Sequence, residues 1–89
     1  LYIWELGGRK WLANLDQVHG LYEYLSGAFE IAYQTDFTNK RVLDIGGYVG
    51  DSALFALQKG AKEIIIYEPV KKNIQAMLFN LKEVQNQVK

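Results

Sequence analysis

The sequence has no cysteine. Disulfide frameworks, thiolate catalysis and thiolate zinc sites are thereby excluded. It has one histidine, His19, which cannot form a histidine-based metal site alone. No metal is expected. Excess charge is also lacking, since ten Lys and Arg balance ten Asp and Glu. A general electrostatic grip on nucleic acid or on an anionic membrane is therefore not expected. Long apolar runs are missing too, and stretches such as Ile64–Tyr67 fall far short of the ~20 residues that cross a bilayer. No basic-then-apolar leader opens the chain, so the default expectation is the cytoplasm. What remains is 89 residues, 49% of them hydrophobic, which is one small domain's worth of core. A chain this short buries only roughly 60–65% of its unfolded surface.

The first half reads as a hairpin, a short helix and a strand. Gly7–Gly8 lies between two aromatic and apolar runs, which suits a primed two-residue turn. That turn would set Leu6 against Arg9, Glu5 against Lys10 and Trp4 against Trp11. The tryptophans then read as a cross-strand packing pair rather than as a sugar-stacking surface. Asp16 is a candidate cap for a helix carrying Val18, Leu21, Tyr22 and Leu25, with Gly27 as its left-handed stop. His19 lies off that stripe. From Phe29 to Gln34 the period changes to two, with Phe29, Ile31 and Tyr33 on one side, which predicts a strand. Thr35–Lys40 reads as a loop.

The second half is more sharply patterned. Arg41–Ile45 is a strand candidate that runs into Gly46–Gly47–Tyr48–Val49–Gly50. Asp51 and Ser52 are good capping types for a helix that Gly60 closes. Glu63–Tyr67 is a second strand, apolar enough to be buried on both faces of a parallel sheet. Pro69 leads into a last helix whose stripe is Ile74, Met77, Leu78 and Leu81, with Val84 and Val88 continuing it. The fold class is α/β: a partial Rossmann-like βαβα unit over residues 41–89, preceded by an N-terminal extension over 1–40. The crossover is expected to be parallel and right-handed.

A glycine turn between a strand and a helix lets backbone approach a ligand. Glu68 follows Gly50 by eighteen positions and would sit at the carboxyl end of the neighbouring strand, where α/β sheets bind ligands. A carboxylate there can accept both hydroxyls of a ribose. A dinucleotide fingerprint, counted from Gly46, would place Tyr48 and Asp51 where glycines are needed beside the pyrophosphate. That disfavours NAD and FAD. No Gly-Lys-Ser or Gly-Lys-Thr follows, so a P-loop is excluded. S-adenosylmethionine, with a ribose, a cationic sulfonium and no phosphate, suits the acidic surroundings better.

The run VLDIGGYVGDSALFALQKGAKEIIIYEP, residues 42–69, resembles the first two motifs of class I S-adenosylmethionine-dependent methyltransferases, and among them the FkbM type. The resemblance covers about residues 40–80. It implies that Gly46, Gly47, Tyr48, Gly50 and Asp51 face the methionyl part of the cofactor and that Glu68 holds its ribose. It gives Asp44 a supporting place, under the loop or at the cofactor's amino group through water. Gly47–Tyr48 departs from the Ala-Asn common in that family. The resemblance further implies O-methylation of a sugar, glycan or small molecule. No catalytic base is identifiable. The family's sheet has seven strands and two are legible here, so this stretch is expected to be a truncated, cofactor-binding part with weak or no turnover alone. Its open sheet edge would be covered by the hairpin, by the 29–34 strand, by a missing C-terminal portion or by a second copy. Two other readings stay open. One is a non-catalytic α/β interaction or structural module derived from a methyltransferase, and the other is a fragment of an NAD-dependent oxidoreductase.

Overall fold

A computed structural model describes residues 1–89. Strands β1 (Tyr2–Leu6) and β2 (Arg9–Ala13) pair antiparallel in the expected register, with Trp4 opposite Trp11 and Glu5 opposite Lys10. Gly7 and Gly8 have φ of 60° and 79°, the two positive values a type I′ turn requires. Both indole N–H groups are satisfied inside the hairpin. Trp4 donates to the Ala13 carbonyl at 3.0 Å and Trp11 to the Leu6 carbonyl at 3.3 Å. Trp11 is fully buried.

A 3₁₀ turn at Leu15–Gln17 leads into α1, Val18–Ser26. Its cap is Asn14, not Asp16, which lies exposed within the turn. The Asn14 N–H donates to Gln17 Oε1 at 2.8 Å, fixing the start of the turn. Of the anticipated stripe only Leu21 is buried, and Tyr22 and Leu25 face solvent. Gly27, at φ 83°, closes α1 as expected.

The predicted strand at Phe29–Gln34 is instead a helix, α2, spanning Ala28–Ala32. The reason lies in its partners. Phe29 is buried and packs on Phe55 with ring centroids 5.6 Å apart, whereas Ile31 is 75% exposed. Glu30 pairs with Lys59. With no strand beside it and one apolar residue to bury, a single helical turn satisfies the backbone locally.

Strand β3 (Arg41–Ile45), helix α3 (Asp51–Gln58), strand β4 (Glu63–Tyr67) and helix α4 (Lys71–Asn80) form the expected βαβα unit. β3 and β4 are parallel, with Asp44 beside Ile66 and Ile45 beside Tyr67. Helix α3 starts from Gly50 in the left-handed region (φ 90°), so Asp51 is its first residue and neither Asp51 nor Ser52 is the cap. It ends in a Schellman arrangement, with Ala61 N–H on the Ala56 carbonyl and Gly60 N–H on the Leu57 carbonyl.

The sheet is covered on one side only. Ile64 is buried beneath a core that includes Ala53, Leu54, Leu57, Ala76 and Met77. On the other face Leu43, Ile45, Ile65 and Tyr67 are all exposed, so β4 is not buried on both faces as its composition suggested. In α4 the stripe is likewise narrower than expected. Met77 and Leu81 are buried, but Leu78 is exposed and the α-helix gives way to a 3₁₀ segment at Lys82–Gln87. Beyond it the chain returns to the sheet. Val88 bridges Ile64 in parallel, Lys89 N–H donates to the Ile64 carbonyl at 2.8 Å, and Ile66 N–H donates to Lys89 O at 3.1 Å. The outer edge of β4, expected to be open, is thus paired at Ile64 and Ile66.

The hairpin is fastened to this unit by Asn80, a fully buried amide on α4. Its Oδ1 accepts the Leu12 N–H at 2.7 Å, and its Nδ2 donates to the carbonyls of Leu12 (3.0 Å) and Val49 (2.8 Å). One side chain therefore ties β2, α4 and the glycine loop together. No helix of the structure is long and apolar enough to cross a membrane.

Candidate cofactor-binding site

The site is built at the carboxyl ends of β3 and β4. After Ile45 the chain must turn sharply into α3, and it does so with Gly46 at φ 76°, Tyr48 at φ 56° and Gly50 at φ 90°. The glycines differ in what they make possible. A Cβ on Gly46 would meet nothing within 4 Å, so that side of the loop is open. A Cβ on Gly47 would lie 2.3 Å from Ile66 Cγ2 and 2.9 Å from Met77 Cε, and one on Gly50 would crowd Leu81 at 3.0 Å. Gly47 and Gly50 are therefore needed for the loop to lie on β4 and α4.

Glu68 stands opposite. Its Oε1 accepts the Tyr48 N–H at 2.9 Å, and its Oε2 accepts the Val70 N–H at 3.0 Å and Asn73 Nδ2 at 3.3 Å. Burial pushes this carboxyl up, but the three donors outweigh it and hold the group below the usual carboxylate range. Glu68 is thus a fixed anion that also pins Tyr48 in its left-handed conformation. An apolar groove of about 290 Å³ opens beside it, between Ile66 on β4 and Ile74, Met77 and Leu78 on α4.

The other acidic positions are turned away. Asp51 is buried, and its Oδ2 would lie 2.8 Å from a Cβ on Gly20, so it is tucked beneath α1. Burial raises its carboxyl; the Ser52 N–H lowers it in part, and Asp44 and Glu23 add to the rise. Asp44 accepts the Ser52 hydroxyl at 2.8 Å and so steadies the start of α3. The Tyr48 ring also lies against Gly20, and its hydroxyl is pushed up by burial, then by the charges of Asp16 and Asp51. The structure therefore joins the Tyr48 backbone to Glu68, which lines the groove, and leaves Gly46 open on the same loop. Asp44, Gly47, Gly50 and Asp51 form the frame behind it.

The loop's amides decide which ligands fit. Gly46 and Gly47 N–H groups point at the Tyr67 carbonyl (2.7 and 3.4 Å), the Tyr48 N–H at Glu68, and the Ser52 N–H at Asp51 Oδ1 (3.0 Å). A pyrophosphate needs such donors free. These four are spent and the Gly50 N–H is bonded to the Gly47 carbonyl, which leaves few loop donors for a pyrophosphate, and the Glu68 carboxylate beside Tyr48 adds repulsion. The residues fit a ligand with a diol and no phosphate, as S-adenosylmethionine is. Glu68 would hold it, with the open side of Gly46 giving room.

Sequence reasoning missed Gln17, Asn73 and Asn80. Asn73 lies five residues after Glu68, in the first turn of α4. Asn80 could have been noticed as a polar residue placed among Ala76, Met77 and Leu81 on an otherwise apolar face.

Comparison with solved structures bears on the class. The chain is similar to the crystal structure of a "putative RNA methyltransferase" from Pyrococcus horikoshii, with 33% identity and a TM-score of 0.59 over 75% of this chain. This likeness supports the methyltransferase class. The chain spans 31% of that protein's length. The fold, a partial Rossmann-like α/β unit, agrees with that neighbour. No protein-family model and no curated protein matches the chain.

Proposed function

We propose that this chain is the cofactor-binding part of an S-adenosylmethionine-dependent methyltransferase. The observation that carries the reading is Glu68, a half-buried carboxylate at the end of β4 held by the Tyr48 and Val70 amides, on the loop that Gly46 leaves open. Glu68 takes the ribose hydroxyls, Tyr48 shapes the loop through its backbone, and Asp44 and Asp51 set the start of α3. The cofactor supplies an electrophilic methyl group on a sulfonium, and transfer to an acceptor rests on proximity and in-line orientation. No side chain of this chain is assigned as acceptor base. Cover for the exposed face and the remaining edge, from further chain or from a second copy, belongs to the same proposal.

For the acceptor we favour a hydroxyl of a sugar, glycan or small molecule, in keeping with the FkbM-like wording of residues 42–69. A second reading, an RNA acceptor, is favoured by the name of the solved neighbour. The balanced charge of the chain gives RNA no general electrostatic attraction here.

Equilibrium binding tests the reading. S-adenosylmethionine is expected to bind and NAD not to. Glu68→Ala removes the diol acceptor, and a charge-assisted hydrogen bond is worth roughly 1.5–3 kcal/mol, so affinity falls at least tenfold. Equal binding of S-adenosylmethionine by a folded Glu68→Ala protein would refute the assignment, and preference for NAD would favour the oxidoreductase reading.

A further inference from the structure

We infer that Asn73, aimed by Gln17, is a second ribose contact of this site. The inference rests on the cofactor reading above and extends the site to the segment that precedes the βαβα unit. An ionised carboxylate has about four acceptor positions. Three of those on Glu68 are taken, by the Tyr48 N–H, the Val70 N–H and Asn73 Nδ2. A diol needs two. The two backbone donors are fixed by the loop and by the start of α4. Asn73 is the one side-chain donor and makes the longest of the three bonds, at 3.3 Å. It is the partner that gives way when a second hydroxyl takes Oε2. A hydroxyl seated there comes within reach of the same amide, which then donates to the hydroxyl oxygen.

The amide is oriented for this by a directional chain. The Asn14 N–H donates to Gln17 Oε1, which leaves Gln17 Nε2 as the end that faces α4. Nε2 donates to Asn73 Oδ1. Asn73 is thereby left presenting Nδ2, a donor, to Glu68. Gln17 is buried and lies on the 3₁₀ turn before α1. Asn73 is the ribose contact, and Gln17 is a positioning residue that acts through it.

The test is a ratio of affinities, which a merely structural defect would not move. Binding of S-adenosylhomocysteine is compared with that of its 2′-deoxy and 3′-deoxy analogues, for the full chain and for Asn73→Ala, Asn73→Asp and Gln17→Met. Amide spectra establish that each variant is folded. Gln17→Met keeps the length of the buried side chain, so it stands in if a change on α4 disturbs the helix. The full chain is expected to prefer the ribo form tenfold or more over at least one deoxy analogue. Asn73→Ala and Gln17→Met are expected to shrink that preference at least threefold, and Asn73→Asp, which sets an acceptor beside Glu68, to shrink it further. An unchanged or larger preference in the folded variants overturns the inference, and so does an equal loss for all three ligands. If the unaltered chain itself shows no preference, the diol reading of Glu68 fails and the inference fails with it. The two failures are thus told apart by the unaltered chain.

Discussion

Replacing Asn80 by alanine removes three hydrogen bonds at one buried point. The Leu12 N–H loses its acceptor at 2.7 Å, and the Leu12 and Val49 carbonyls lose their donors at 3.0 and 2.8 Å. A hydrogen bond contributes roughly 0.5–1.5 kcal/mol net, and groups left unpaired inside cost at the upper end of that range or beyond. Three together come to about 3 kcal/mol. Small domains have only about 5–15 kcal/mol in hand. With a urea slope of about 1.5 kcal/mol per molar, the unfolding midpoint is expected to fall by about 2 M. Asn80→Leu keeps the branched outline, leaves the same partners unpaired and adds bulk at a fully buried site, so it is expected to cost at least as much. Chemical denaturation monitored by tryptophan fluorescence suits the purpose, because Trp11 is buried on the hairpin that Asn80 fastens. A loss under about 1 kcal/mol for both variants would refute the reasoning, since even one such bond is worth that much.

Four further outcomes follow from the same geometry. Gly47→Ala is expected to cost about 1–3 kcal/mol by pressing a methyl group into Ile66 and Met77, while Gly46→Ala, which meets only open space, costs about 1 kcal/mol for its left-handed backbone; urea titration separates the two. Asp51 has a folded carboxyl pKa raised above its unfolded value, chiefly by burial, so its contribution is fully present below the ordinary carboxylate range and is lost as pH rises through the raised value. Asp51→Asn is therefore expected to match the unaltered chain in acid and to gain on it toward neutral pH, read as the difference in unfolding midpoint at each pH. Leu43→Thr and Ile45→Thr, on the uncovered sheet face, are expected to change stability by no more than about 0.5 kcal/mol while reducing any self-association seen by sedimentation. Carbon chemical shifts of residues 28–32 are expected to be helical; strand-like values there would contradict α2.

The parts of this fold that could be read from the sequence are those whose signals are local. Gly7–Gly8 dictates the hairpin register because only one turn type joins two such strands through two positive-φ residues. The strand, glycine loop, helix and strand of residues 41–67 carry both their boundaries and their periods in the chain itself. What was misread depended on distant partners. Alternation at Phe29, Ile31 and Tyr33 looks like a strand, but no strand lies beside it, and Phe29 needs only the Phe55 ring to be buried. The caps shifted for a similar reason. Asp51 was drawn under α1, so Gly50 took the start of α3. Of the proposed site, Gly46, Tyr48 and Glu68 were legible through motif spacing. Gln17 and Asn73 were not, because their meeting spans 56 positions and depends on how the hairpin side of the molecule lies across α4.

The central claim is that Glu68 and the open side of the glycine loop form a site for an adenosyl ligand without phosphate. Amide NMR of this chain, titrated with S-adenosylmethionine and in parallel with NAD, tests it most directly. The account predicts selective, saturable shifts at Gly46, Gly47, Tyr48 and Glu68, extending to Asn73, with S-adenosylmethionine alone. A well-dispersed spectrum that neither ligand moves, or one that NAD moves at the same residues, would contradict it.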